Sequence, residues 1–164
     1  MNNHKRHAGF SLIELLIVVA MIGVITAIAI PNLLSSRRAA NEGSALATLR
    51  IISTSEATYQ STAGAGSFGS LANLAGQGLI DAVVAASAVT PKSGYVFTAD
   101  RVIGPNLPAF DATAVPAIYV GLTATGSRSF FINESGVISY ALSATAPTCA
   151  ADDTRAIAGG SPLN

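Results

Sequence analysis

Apolar residues crowd the start of the chain and then thin into a periodic pattern. From Phe10 to Ile30 the sequence reads FSLIELLIVVAMIGVITAIAI, with Glu14 its sole ionisable residue. As a helix rising about 1.5 Å per residue, this stretch spans roughly 30 Å, the thickness of a hydrocarbon core. It is predicted to cross a bilayer once. Pro31 lacks an N–H and clashes one turn back, so a kink or local melting is expected there. The helix is expected to resume at about Asn32 and run to about Ser61. Ala45, Leu49, Ile52 and Tyr59 recur in it at helical spacing and are predicted to face a following domain. Arg37, Arg38, Glu42, Arg50 and Glu56 are assigned to the wetter face.

Beyond Ser61 the elements shorten. Gly64 to Gly69 reads as a small-residue loop. Leu71 to Ala75 reads as one helical turn, and Asp81 can cap a second, Ala82 to Ala88. Pro91-Lys92-Ser93-Gly94 is turn chemistry. Four short β-branched or aromatic runs are predicted as strands: Tyr95–Thr98, Ile118–Leu122, Ser129–Ile132 and Val137–Tyr140. Asn133 to Gly136 is expected to join the last two as a hairpin, and Thr125-Gly126 the pair before. Val102 to Pro116, with three prolines, reads as a long irregular loop, and the chain from Ser143 as a polar surface or mobile tail.

Composition changes this picture in two ways. Half of the 164 residues are hydrophobic, high for a soluble protein, and much of the excess is the first apolar block. Formal net charge is zero, which argues against nucleic acid as a partner, since phosphates demand a basic face. His4 and His7 are the two histidines, and both precede the apolar block. No nucleophile–base arrangement, phosphate loop or Cys/His cluster is present, so neither an enzyme nor a cofactor is expected. Asp152 and Asp153 alone make a poor calcium site, which needs six or more oxygens. Cys149 is the one cysteine and cannot form an internal disulfide.

Three readings of the N-terminus compete. An ordinary signal peptide would use Ala27-Ile28-Ala29 for cleavage, but Glu14 interrupts its core. A plain anchor has a weak orientation signal, because Lys5 and Arg6 are matched by Arg37 and Arg38. Neither explains Glu14. A charged residue costs of order 2.5–3.5 kcal/mol at the membrane centre, less near an end, and needs a reason. A cut between Gly9 and Phe10 would create an α-amine four residues before it. A neighbouring copy's amine would then be a partner for Glu14.

The basic leader, Gly9 and the run Phe10-Ser11-Leu12-Ile13-Glu14-Leu15-Leu16 resemble the class III signal of type IV prepilins and pseudopilins. The resemblance covers Lys5 to Leu34 closely and includes Pro31. It implies cleavage after Gly9 by a prepilin peptidase, N-methylation of Phe10, and assembly roles for Glu14 and Pro31. It implies an α+β type IV pilin-like fold: a long N-terminal helix, membrane-spanning in its first half, packed on a small antiparallel sheet. The expected divisions are a cleaved leader 1–9, a transmembrane and filament-core helix 10–30, a helix continuation 31–62, a head 63–142 and a polar tail 143–164. The implied partners are other copies of the chain, the peptidase, an assembly platform in the inner membrane, and membrane lipid before assembly. A type II secretion pseudopilin or a minor pilin is the alternative, and a secreted or anchored binding domain the rival from another class. Many type IV pilins close a C-terminal loop with a disulfide, which a single cysteine forbids here.

Overall fold

The computed structural model describes residues 10–103 and 107–163. Helix α1, Leu12–Ser61, is followed by two short helices, α2 (Leu71–Gly76) and α3 (Ala82–Ala85). Strands β1 (Tyr95–Val102), β2 (Ala109–Pro116), β3 (Ser129–Asn133) and β4 (Ser139–Ala141) come next. The last are β5 (Thr148–Cys149), β6 (Ile157–Ala158) and β7 (Ser161–Pro162). This is an α+β, type IV pilin-like arrangement. The chain divides into two units, Met1–Ser36 and Arg37–Asn164.

In the first unit α1 stays helical through Pro31. The local melting expected there is absent, since a proline removes one backbone bond while the flanking turns persist. Thr26 Oγ1 donates to the Ile22 and Gly23 carbonyls, and Ser35 Oγ to that of Pro31.

In the second unit an antiparallel sheet runs in the order β1-β2-β3-β4-β7. Its inner face alternates as a half-buried sheet should. Tyr95, Phe97 and Ala99 of β1, Phe110, Ala112 and Ala114 of β2, and Phe130 and Ile132 of β3 share one core with Ala45, Leu49 and Ile52 of α1. Leu71, Leu74 and Val84 of the short helices close it. The stripe predicted on α1 is the buried one, with Tyr59 packed at its margin. Ser70 caps α2 through a reciprocal pair with Asn73, and Asp81 caps α3 by accepting from the Val83 N–H. The turn at Lys92 to Tyr95 closes with both backbone bonds at 3.0 Å, and Ser93 and Gly94 take positive φ.

Three expectations change. Val102 to Pro116 is not a loop throughout, because Ala109–Pro116 forms β2 and pairs along its whole length with β1. Its alanines leave room for the larger side chains opposite, Phe97 and Phe130 beside Ala114 and Ile132 beside Ala112. Ile118–Leu122, predicted as a strand, is a loop, so Thr125-Gly126 is no hairpin turn. The C-terminal segment carries regular structure: β5 pairs with β6, and β7 adds to the main sheet beside β4.

That segment covers the outer face of the sheet. The outward positions of β3 reach it: Ser129 Oγ lies 2.9 and 2.7 Å from the Ser143 and Thr145 carbonyls, and Asn133 Nδ2 is 3.6 Å from Cys149 Sγ. Phe131, between them, is buried. Arg155 fastens the far side. Its guanidinium donates to both Glu134 oxygens, at 2.7 and 3.0 Å, to Asp111, and to the Phe110 and Ala150 carbonyls. Its hydrogen bonds to Glu134 raise its affinity for the proton.

Arg155→Ala removes five hydrogen bonds to two carboxylates and two carbonyls. A hydrogen bond to a charged group contributes about 1.5–3 kcal/mol net, and the removal also relieves the cost of burying the guanidinium, so a loss of about 2 kcal/mol is expected. Thermal unfolding of the full chain in detergent, with limited proteolysis after Ser143, measures it. An unchanged midpoint with an equally protected segment would show that Arg155 fastens nothing.

Candidate functional site: an exposed apolar helix with one carboxylate

Every residue from Phe10 to Leu33 is exposed, Phe10 at 80% and Leu12 at 83%. The helix includes a window of mean hydropathy 2.8 with none of it buried. Length and composition therefore allow one membrane crossing, with Leu, Ile, Val and Met side chains pointing away from the axis on every side.

Glu14 sits in the first turn of α1. The Ser11 carbonyl accepts the first helical bond, from Leu15 N at 3.2 Å, which makes Ser11 the N-cap. The Ser11 N–H in turn donates to Glu14 Oε2 at 3.0 Å. This is half of a capping box, and it gives the carboxylate a local role that spacing alone had not revealed. Phe10 lies one residue ahead of the cap. Pro31 lies inside α1, more than four turns on. Gly9 and the predicted leader fall outside the described residues. Phe10 and Glu14 are thus gathered at one helix end, and Pro31 is not part of that group.

The head carries further charged groups that were assigned to the wet face of α1, and two of those assignments are wrong. Glu42 is 5% exposed and Glu56 fully buried. Glu42 accepts from Ser127 N at 2.8 Å, Ser127 Oγ at 2.7 Å and Arg128 Nε at 2.8 Å. Burial alone would raise its pKa, but the Ser127 and Arg128 bonds outweigh it and hold the carboxyl below its ordinary range. Tyr95 Oη donates to the Arg128 carbonyl at 2.7 Å, and burial pushes that hydroxyl up. Arg38 donates to the carbonyls of Gly121, Leu122 and Ala124. These partners lie 83 to 86 residues away, beyond what helical spacing on α1 can disclose.

Glu56 is different. Its Oε2 accepts from Gly69 N at 2.9 Å, while Oε1 is buried with no hydrogen-bond partner among the described residues. Burial raises its pKa, and the Gly69 bond only partly offsets that. Among the described residues no group of three or more His, Cys, Asp or Glu is placed to hold a metal.

The chain's similarities to known proteins cover part of its length. Residues 4–30 match the family model of the prokaryotic N-terminal methylation motif. The chain is 41% identical over 56 residues to the type IV major pilin protein PilA of Myxococcus xanthus, covering 34% of this chain and 26% of that protein. It is 55% identical over 42 residues to the type IV wide pilus major component PilA4 of Thermus thermophilus, covering 26% of this chain and 30% of that one. The matched segment thus spans about a quarter to a third of these curated relatives. No solved structure matches the chain at a significant level. The motif match lies at the N-terminus, and both of these relatives are type IV pilins.

Glu56 makes a pH prediction. Its folded pKa lies above the unfolded value of about 4.3, so its contribution is fully present below that value and is lost as pH rises through the folded one. Glu56→Gln, uncharged and similar in shape, is expected to lose less stability than the parent between acid and neutral pH. The difference between the two unfolding profiles separates Glu56 from Asp111, which shifts the same way, and from Glu42 and Glu134, which shift oppositely. Parallel profiles would rule the charge cost out.

Proposed function

We propose that this chain is a structural subunit, a type IV pilin that polymerises through its N-terminal helix into an extracellular filament. The observation that carries this reading is the exposed apolar stretch with one carboxylate near its start, in a segment that matches the N-terminal methylation motif, in a chain similar over part of its length to two type IV pilins. Before assembly the helix holds the subunit in the bacterial inner membrane as a single pass. A prepilin peptidase cuts between Gly9 and Phe10, and the new amine of Phe10 is methylated. An assembly platform in that membrane then extracts the subunit, and helices of other copies replace lipid around it. The role is structural and needs no cofactor.

Glu14 acts as a register group in this scheme. At an effective dielectric near 20, opposite charges about 4 Å apart attract by roughly 4 kcal/mol before desolvation is subtracted. Because desolvation takes back much of this, pairing with a neighbour's Phe10 amine favours one stagger between helices rather than adding much net stability. Pro31, at the end of the span, ends the stretch in which helices pack closely.

Two experiments follow from this scheme. Gly9→Val places a branched side chain beside the cut and is expected to leave full-length precursor in membranes. The parent's mature protein should begin at Phe10, one methyl group heavier than its sequence. Mature protein of normal size from the variant, or a parent N-terminus at Ile30, would place the cut elsewhere. Glu14→Ala should insert and be cleaved, since neither step uses the carboxylate, yet yield no homopolymers by electron microscopy of sheared surface fractions. Abundant ordinary filaments of Glu14→Ala subunits alone would remove Glu14 from assembly while leaving the cleavage result untouched.

A further inference from the structure

The loop between β2 and β3 is apolar where solvent-facing loops are usually polar. No charged residue occurs from Ala112 to Ser127. Ile118, Val120 and Leu122 are 45%, 75% and 71% exposed, with Tyr119 half-buried between them. Single exposed apolar residues are ordinary, but three within five residues on one loop form a patch that needs a partner.

The loop is also braced. Arg38 holds three of its carbonyls, and Asn41 Nδ2 donates to the Thr125 carbonyl at 2.8 Å. Thr125 Oγ1 donates to the Gly94 carbonyl at 2.7 Å, and the Ala117 N–H to the same oxygen at 2.9 Å. A Cβ on Gly126 would stand 2.1 Å from Tyr95 Oη, so only glycine lets the loop close on that ring. A patch held this firmly is preorganised, which lowers the ordering cost of docking.

The position of its anchor selects the partner. Arg37 and Arg38 are the first charged residues after Glu14, and they follow Leu34, the last bulky apolar residue of the run, within one helical turn. Basic residues directly after an apolar span mark the headgroup layer, where Tyr rings also collect. We propose that the 117–127 loop is a second membrane contact: in the membrane-held subunit it lays Ile118, Val120 and Leu122 into the headgroup layer, so that the head is seated on the lipid surface. The proposal rests only on the membrane-spanning part of the function proposed above.

Single cysteines at Val120 and at Ile103, in a Cys149→Ser full-length chain, carry an environment-sensitive fluorophore. Ile103 is a matched control, 81% exposed and just beyond the far end of β1, a strand roughly 23 Å long at 3.3 Å per residue. The labelled chains are inserted at low density into phosphatidylethanolamine–phosphatidylglycerol vesicles, with a nitroxide quencher on the lipid headgroups. The Val120 label is expected to lose most of its emission and the Ile103 label to keep most of its own. Equal quenching at the two sites would overturn the lipid contact. So would Val120 quenching that appears only with rising subunit density, which would assign the patch to a second copy. Extraction of the chain by alkaline carbonate would instead refute the membrane-spanning reading.

Discussion

An apolar helical stretch left exposed among the described residues is the constraint on which the rest of this molecule depends. From Phe10 to Leu33 no residue is buried, and at about 25 cal/mol per Å² of apolar surface such a helix cannot stand in water. It requires an apolar surround, which lipid would supply or, in the assembly proposed above, other copies of the chain. Either cover excludes charge, and the stretch obeys with one exception, Glu14. The exception is placed at the helix start, where a carboxylate favours the dipole and satisfies a free N–H.

The second half of α1 solves a different problem, that of fixing the sheet and the short helices in one position on this helix. Hydrophobic contacts through Ala45, Leu49 and Ile52 supply burial but little positional discrimination. Position comes from polar groups with directional bonds. Glu42 binds Ser127 and Arg128, Arg38 binds the carbonyls around Gly121, and Ser55 Oγ donates to the Leu79 carbonyl at 3.0 Å. A one-residue shift of α1 would leave Glu42 buried without Arg128, at a cost larger than the pair's own net worth.

The rod and the turns were legible in the sequence because their signals are local. Apolar runs, a helical stripe, the cap at Asp81, and Ser93-Gly94 each act within a few residues. What escaped depends on distant partners. Strand β2, rich in small residues and flanked by prolines, has no hydrophobic run of its own, and its neighbours β1 and β3 define it. Ile118 to Leu122 has strand-forming residues but no strand to pair with. Glu42 and Glu56 look like solvated charges until Arg128 and Gly69 are folded against them. At the N-terminus, the methylation motif was readable because it is a linear signal.

The C-terminal segment is closed by ions instead of sulfur. Arg155 reaches Glu134 and Asp111 as soon as the sheet exists, so this closure needs no oxidant, no isomerase and no partner thiol. It completes within folding itself, in reducing and oxidising surroundings alike. It is correspondingly reversible: strong salt or acid loosens it, and neutral dilute solution restores it. A chain closed this way needs no catalyst for that step, and Cys149 is left free of it.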